Sequence, residues 1–226
     1  MSEIPVPELA SMHIVTVPTR SIIPTVIGVG ADRWEAASAS GSCFAKVLGT
    51  SKAHTTRTSV ELRRWALFAT WRDRDFYESF IETSQLLRRW HSAGDVRTAL
   101  LQPLSAKGSW GGSQLINADA SQRPVGKQTA VLTRAWVKPR HWLTFSRSIE
   151  PVDTHLRTQQ GCSFSMGMGE WPIGEQATFS IWDSPEALEA FAYKGGAHSE
   201  VVRRRYQEGW YGEEVFARFS VIESNI

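Results

Sequence analysis

The sequence predicts an α+β protein in which two duplicated ferredoxin-like repeats, each βαββαβ, are fused into one dimeric α/β barrel. Three observations carry this reading. The elements read strand, helix, strand, strand, helix, strand, and then repeat that order. Phe68, Trp71 and Phe80 stand at the same spacing as Phe179, Trp182 and Phe191, 111 residues on. One half alone would leave a sheet face uncovered, and two halves packed sheet to sheet cover it. Phe44 and Gly49 likewise match Phe164 and Gly169 at an offset of 120, so the first copy carries a longer loop. The expected organisation is a first repeat over 12–104, a linker or flap over 105–128, and a second repeat over 129–226 that carries the active site.

The elements follow in order. His13 to Val17 alternates as a strand, and 22–39 is helical despite Pro24, Gly28 and Gly30. Strands are expected at 43–48 and 65–71, with a polar loop over 49–59. Arg74 to Ser92 reads as one helix with Phe76, Phe80, Ile81, Leu87 and Trp90 on or near one face. A strand over 96–101 precedes the Gly-, Ser-, Asn- and Gln-rich stretch 105–128. There, the run Ser109-Trp110-Gly111-Gly112 reads as a mobile flap or an ordinary connector. The second half has strands at 129–137, 163–169 and 177–182, and a helix over 140–159 that Pro151 breaks or kinks. Asp183 or Ser184 caps the next helix, and Pro185 suits its first turn. Leu188, Phe191 and Ala192 give that helix an apolar face. Gly195-Gly196 interrupts it, and a second run carries His198, Val201, Val202 and Tyr206. Residues 216–221 alternate as the last strand.

The 226 residues carry 10 Trp and a formal net charge of +2. That charge gives no long-range argument for nucleic acid. No run of about 20 apolar residues is long enough to span a bilayer. The opening MSEIPVPELASM lacks a signal-peptide pattern, so a cytoplasmic protein is expected. Cys43 and Cys162 form neither a metal-type spacing nor a disulfide framework. No GxGxxG after a strand, HExxH, Walker loop or nucleophile elbow occurs.

His198 is the residue that chemistry singles out. It lies seven residues beyond Phe191, about two helical turns on if the helix continues through the glycines. A histidine aimed from a helix into apolar space is a candidate metal or haem ligand, or a core histidine satisfied by a backbone carbonyl. The offset of 111 pairs it with Leu87 in the first repeat, so only the second copy has a ligand-capable side chain there. That asymmetry favours function and places the site in the second half.

The segments ATFSIWDS, EAFAY, VVRR and GWYGEEVFARF, with VLTRAWVKPR (131–140) and FSMGMGE (164–170), resemble the spheroidene monooxygenase family of carotenoid biosynthesis. The resemblance is strong over about 129–222 and weaker over 65–112, where FATW and SAKGSWGG match. It implies a haem-dependent monooxygenase, with a haem b whose iron has His198 as axial ligand. A lipophilic or secondary-metabolite small molecule would be the substrate, O2 or peroxide the oxidant, and a ferredoxin-type protein the electron donor. Imidazole bound through one nitrogen needs an acceptor for the other, and Glu200, Glu213, Glu214 or a backbone carbonyl can serve. Arg204, flanked by Arg203 and Arg205, can reach a haem propionate. Trp182, Phe191, Tyr193 and Trp210 are expected as cofactor-lining walls, with Tyr211 beside them. On the strand at 129–137, Arg134 and Trp136 point to one side and Thr133 and Ala135 to the other. An inward arginine can polarise O2 or peroxide, which would give Arg134 a catalytic role; the alternative is a pair with a surface carboxylate. The alternatives are a cofactor-free monooxygenase of the antibiotic-biosynthesis type, a haem-dependent dehydratase, and a haem-binding protein without turnover. The remaining helices and sheet edges can pair in a homodimer.

Overall fold

The structure, a computed structural model, describes residues 6–51, 60–116, 123–147, 156, 159–170, 175–193 and 208–226. In chain order the elements are β1 (Leu9–Thr16), α1 (Ile22–Ser38), β2 (Ser42–Ser51), β3 (Val60–Trp71), α2 (Arg74–Thr83), α3 (Gln85–Ala93) and β4 (Asp95–Gly108). Then come β5 (Thr129–Val137), α4 (described over 142–147), β6 (Cys162–Gly169), β7 (Glu175–Trp182), α5 (Pro185–Tyr193) and β8 (Tyr211–Ser224).

The eight strands close into an antiparallel barrel in the order β1-β3-β2-β6-β7-β5-β8-β4. The first four strands pair as β4-β1-β3-β2 and the last four as β8-β5-β7-β6, the same internal order. A short β2–β6 contact (Gly49 with Gly169, Thr50 with Met168) joins the halves on one side. A long β4–β8 ladder from Ala99–Ser224 to Gly108–Val215 joins them on the other. Closure covers most strand edges, and the two-residue β2–β6 seam is its weakest join.

Alternation then divides the side chains into three layers. Met12, Phe68, Leu101, Leu132, Met166, Met168, Phe179, Ala217 and Phe219 fill the barrel interior. On the outer face of the first half, Val15, Val47, Leu67, Trp71 and Leu100 pack beneath α1, α2 and α3. On the second half the described outer layer is thinner: Val131, Leu156, Trp182, Leu188 and Phe191 form one cluster, and Val137, Phe145 and Trp210 another.

The aromatic pairs match between halves. Phe44 meets Phe68 with centroids 6.3 Å apart at 58°, and Phe164 meets Phe179 at 6.4 Å and 57°. Trp71 lies 4.7 Å from Phe80, and Trp182 lies 5.1 Å from Phe191. Residues placed by the spacing argument in equivalent positions thus occupy equivalent contacts.

Several elements differ from expectation. The single helix over 74–92 is two, because Ser84 is extended (φ −62°, ψ 124°) and caps α3 by accepting from the Leu87 amide at 3.2 Å. The Ser84 hydroxyl and the Leu86 amide both donate to Glu35, each at 2.8 Å, which ties the break to α1. Residues 105–108, expected as linker, continue β4 because β8 begins at Tyr211 and gives them partners. β1 starts at Leu9, where β3 pairs it as far as Trp71.

Candidate functional site

Two places in the second half carry chemistry, on opposite faces of one sheet. The first is the mouth of the barrel. Arg134 follows Ala130 and Leu132 on the interior side of β5 and is 5% exposed. Its guanidinium pairs with Glu213 and, at 3.4 Å, with Glu175, and lies 5.7 Å from the Trp110 ring centroid. Its Nε is buried without a partner.

Glu213 also accepts from the Ser109 hydroxyl (2.8 Å) and the Gly111 (3.0 Å) and Gly112 (2.8 Å) amides. Gly111 and Gly112 have φ of 60° and 76°, a backbone that turns successive N–H groups toward one anion. Burial opposes the Glu213 charge, but the Gly112 and Gly111 amides, Ser109 and Arg134 outweigh it and hold the carboxyl at about 2. The run 109–112, expected as a flap or connector, is therefore pinned. Trp110 is buried, and its indole N–H donates to Glu170 at 2.6 Å.

Glu170 also pairs with Lys46 at 2.8 Å. Burial works against its charge, yet Lys46 and Trp110 hold it below the ordinary carboxylate range. Glu175 is pushed up, first by burial and then by the charge of Glu170. A cavity of about 400 Å³ opens beside this cluster, lined by Ser109, Tyr211, Gly212, Glu213 and Glu214 among others.

The second place is the helix-facing surface of the same sheet. Register places Ser165, Ser180, Val131 and Arg218 in one row across β6, β7, β5 and β8. The next row is Gly167, Thr178, Thr133 and Phe216. A third runs through Gln176, Ala135 and Glu214. The equivalent rows of the first half are Ala45, Ala69, Ser11 and Leu100, then Val47, Leu67, His13 and Thr98, then Trp65, Val15 and Val96. Where the first half has Leu67, Val47, Trp65 and Leu100, the second has Thr178, Gly167, Gln176 and Arg218. Arg218 is half-buried, its Nε is buried with no hydrogen-bond partner, and among the described residues no ion pair engages it.

The expected site residues divide between these places. Trp182 and Phe191 lie on the helix-facing side, where the Trp182 indole donates to Ser180 at 2.9 Å and the two rings meet. Ser184 caps α5, its hydroxyl accepting from the Ala187 amide at 3.3 Å. Trp210 is fully buried with Val137 and Phe145 and donates to Glu208 at 2.8 Å. Arg134 faces the barrel interior, away from α5, and two carboxylates engage its charge. Glu213, a candidate acceptor for His198, is held by Arg134 and the 109–112 turn instead. His198, Arg204 and Glu200 lie outside the described residues, as does the side chain of Tyr193. Arg218, Glu170 and Glu175 were missed. The signal for Arg218 was present in the alternation of Phe216, Arg218 and Ser220 against Ala217, Phe219 and Val221.

Among the described residues, no group of three or more His, Cys, Asp and Glu side chains is placed to hold a metal ion. No described helix is long and apolar enough to cross a membrane.

An aldoxime dehydratase crystallised with butyraldoxime superposes with a TM-score of 0.61 at 10% identity, covering 98% of this chain and 81% of that one. A second aldoxime dehydratase gives 0.59 at 8% identity, covering 98% and 83%. At such identities the likeness shows the fold alone. No family model matches the sequence. The chain is 30% identical over 181 residues to the spheroidene monooxygenase of Rhodobacter capsulatus, covering 79% of this chain and 75% of that protein. With the enzyme of that name from Rubrivivax gelatinosus it is 33% identical over 180 residues, covering 79% and 68%. With that from Cereibacter sphaeroides it is 31% identical over 180 residues, covering 77% of this chain and 53% of that protein, about half its length. On this coverage and identity, the chain belongs to the spheroidene monooxygenase family.

Proposed function

We propose that this chain is a haem-dependent monooxygenase acting on a lipophilic small molecule of the carotenoid class, with the haem held on the helix-facing surface of its second half. Family membership supports the activity. The observation that carries the location is a change of character on that surface, where Gly167, Thr178 and Gln176 stand in place of the bulkier Val47, Leu67 and Trp65, and the charged Arg218 in place of Leu100. Small side chains leave space for a flat ligand, and a buried guanidinium nitrogen without a partner fits a ligand that brings an acceptor. The residues present are therefore compatible with a haem b.

His198 would hold the haem iron in this reading, and Arg204 would hold a propionate. Glu214, which projects from β8 to the same side, suits the second nitrogen of the imidazole better than Glu213. Trp182 and Phe191 close one end of the space, Tyr193 is a further wall residue in this reading, and Trp210 backs the other cluster. When bound, the haem supplies the redox chemistry that activates O2 or peroxide. With O2, two electrons from a ferredoxin-type donor and two protons balance transfer of one oxygen atom to the substrate and release of the other as water. The residues around it exclude bulk solvent and orient the substrate. Arg134, Glu213 and the 109–112 turn hold the barrel mouth shut and take no part in oxygen transfer. The two halves are read as copies of one ferredoxin-like repeat, with 12–104 and 129–226 as the units and 105–128 between them. A cytoplasmic location and a homodimer complete the reading.

The test is the absorption spectrum of protein expressed with ample haem. Wild type is expected to show a Soret band, His198→Ala to lose it, and His198→Gly to regain it with added imidazole. A colourless protein that still oxygenates substrate would replace this reading with the cofactor-free one. A haem protein that converts substrate without consuming O2 or peroxide would replace it with the dehydratase.

A further inference from the structure

We infer that Arg218 is a ligand-facing donor on the helix side of the second half, where its guanidinium binds an anionic or partly anionic oxygen brought by the bound group. This rests on the placement of the haem proposed above and assigns a residue that neither the sequence motifs nor the family resemblance singled out.

Arg218 pairs with Val131 on β5 and Ser105 on β4, in the row that also holds Ser180 and Ser165. Its neighbours along β8, Ala217 and Phe219, point into the barrel. Arg218 therefore points the other way, to the side where α5 lies. In the first half the same place in the ladder belongs to Leu100, which is completely buried under the helices.

A leucine there costs nothing to bury. A guanidinium N–H taken from water without an acceptor is destabilising. A position that needed only packing has no use for that expense, and the molecule shows how its buried arginines are otherwise satisfied. Arg134 shares the orphaned Nε, but its terminal nitrogens pair with two carboxylates, and Arg64 has the Thr50 hydroxyl and the Ser51 carbonyl. Arg218 has no such partner among the described residues, and its row offers hydroxyls and a valine rather than a carboxylate. Planar geometry and five donors suit a guanidinium to a carboxylate or to a small oxygen ligand. Two sources bring such an oxygen to this surface: a haem propionate, and the oxidant or a small anion on the open side of the iron.

The experiment uses Arg218→Leu and Arg218→Lys in the full chain, with two readouts besides turnover. The first is thermal stability without haem. Arg218→Leu, which restores the side chain of the equivalent position, is expected to melt at or above the wild-type temperature. The second is made on haem-loaded protein: the rate of haem loss to a scavenger and the fluoride affinity of the ferric form. Arg218→Leu is expected to change one of these by about tenfold or more, the effect of losing a charge-assisted hydrogen bond. Faster haem loss with unchanged fluoride affinity identifies the propionate. Weaker fluoride binding with unchanged haem retention identifies the open side of the iron. Lysine is expected to recover part of either effect. A melting temperature that falls by several degrees without haem makes Arg218 structural and overturns the inference. So does a haem-loaded protein indifferent to both substitutions. A wild-type chain that takes up no haem overturns the proposed function itself, which separates the two failures.

Discussion

The two halves have the same strand order and the same aromatic contacts, yet their helix-facing surfaces are opposites. The first half seals that surface. Leu67, Val47, Trp65 and Leu100 meet α1–α3, and Asp32 of α1 is clamped by Arg89 (2.5 Å) and the Trp90 indole (3.0 Å) of α3. The second half puts Thr178, Gly167, Gln176 and Arg218 in the same places. A sealed layer is what stability alone selects, because each bulky side chain removed forfeits contacts. Under the proposed function, the half that departs from it is the half that would house the ligand.

Swapping residues across the pseudo-symmetry breaks or sharpens this contrast. The largest expected effect is Leu100→Arg, which drives a guanidinium into the sealed layer. Loss of the leucine contacts plus an unpaired buried charge should cost about 4 kcal/mol or more, enough to leave much of the chain unfolded in a urea titration. Its mirror, Arg218→Leu, should change stability by less than about 1 kcal/mol or raise it. Equal losses from both would erase the distinction.

Next in size is acid sensitivity, which should belong to the first half. His13 is buried on β1, with Nδ1 3.1 Å from the Thr98 hydroxyl. Burial, helped by the charge of His91, lowers it to about 4. The unfolded chain, with an ordinary imidazole near 6.5, therefore takes up the proton first as pH falls. The stability contributed by neutral His13 is complete above about pH 6.5 and drains away toward pH 4, by about 3 kcal/mol. Urea unfolding of wild type and His13→Thr at pH 7 and 4.5 checks this. Threonine is the residue of the equivalent place in the second half, Thr133, and the variant should show a flatter pH dependence.

A smaller effect is expected at the barrel mouth. Glu213→Gln should free the 109–112 turn and cost about 1–2 kcal/mol, because the Gly111 and Gly112 amides lose a charged acceptor. Faster hydrogen exchange at those two amides, with the Soret band unchanged, is the measurement. A lost Soret band would mean that the barrel mouth, not the helix side, holds the ligand. The smallest contrast is between Phe80→Leu and Phe191→Leu. Their rings meet Trp71 and Trp182 at similar distances, so each should cost about 1 kcal/mol and the two should agree in chemical denaturation.

The barrel was legible in the sequence because its evidence is periodic. Alternation located the strands, and the recurrence of Phe, Trp and Phe at one offset joined the two halves before any contact was known. Phe80 on Trp71 and Phe191 on Trp182 are matching contacts between residues that this spacing had paired. What failed to show was whatever depends on long-range partners. Ser84 breaks the helix because Glu35, nearly fifty residues earlier, holds its hydroxyl and the Leu86 amide. The turn at 109–112 looks loose until Glu213, a hundred residues away, accepts its amides. Arg134 stood in a suggestive motif, but only the barrel decides which side is inward. Arg218 was visible as an alternation and unremarkable until Leu100 was seen in its place on the other half.

The account is tested most directly by hydrogen exchange of the haem-free protein before and after haem is added. Protection is expected over β5, β7, α5, the 194–207 stretch and β8, with α1, α2 and α3 unchanged. Protection that falls on the helices of the first half or on the 109–112 turn, or no change anywhere despite a Soret band, would contradict it.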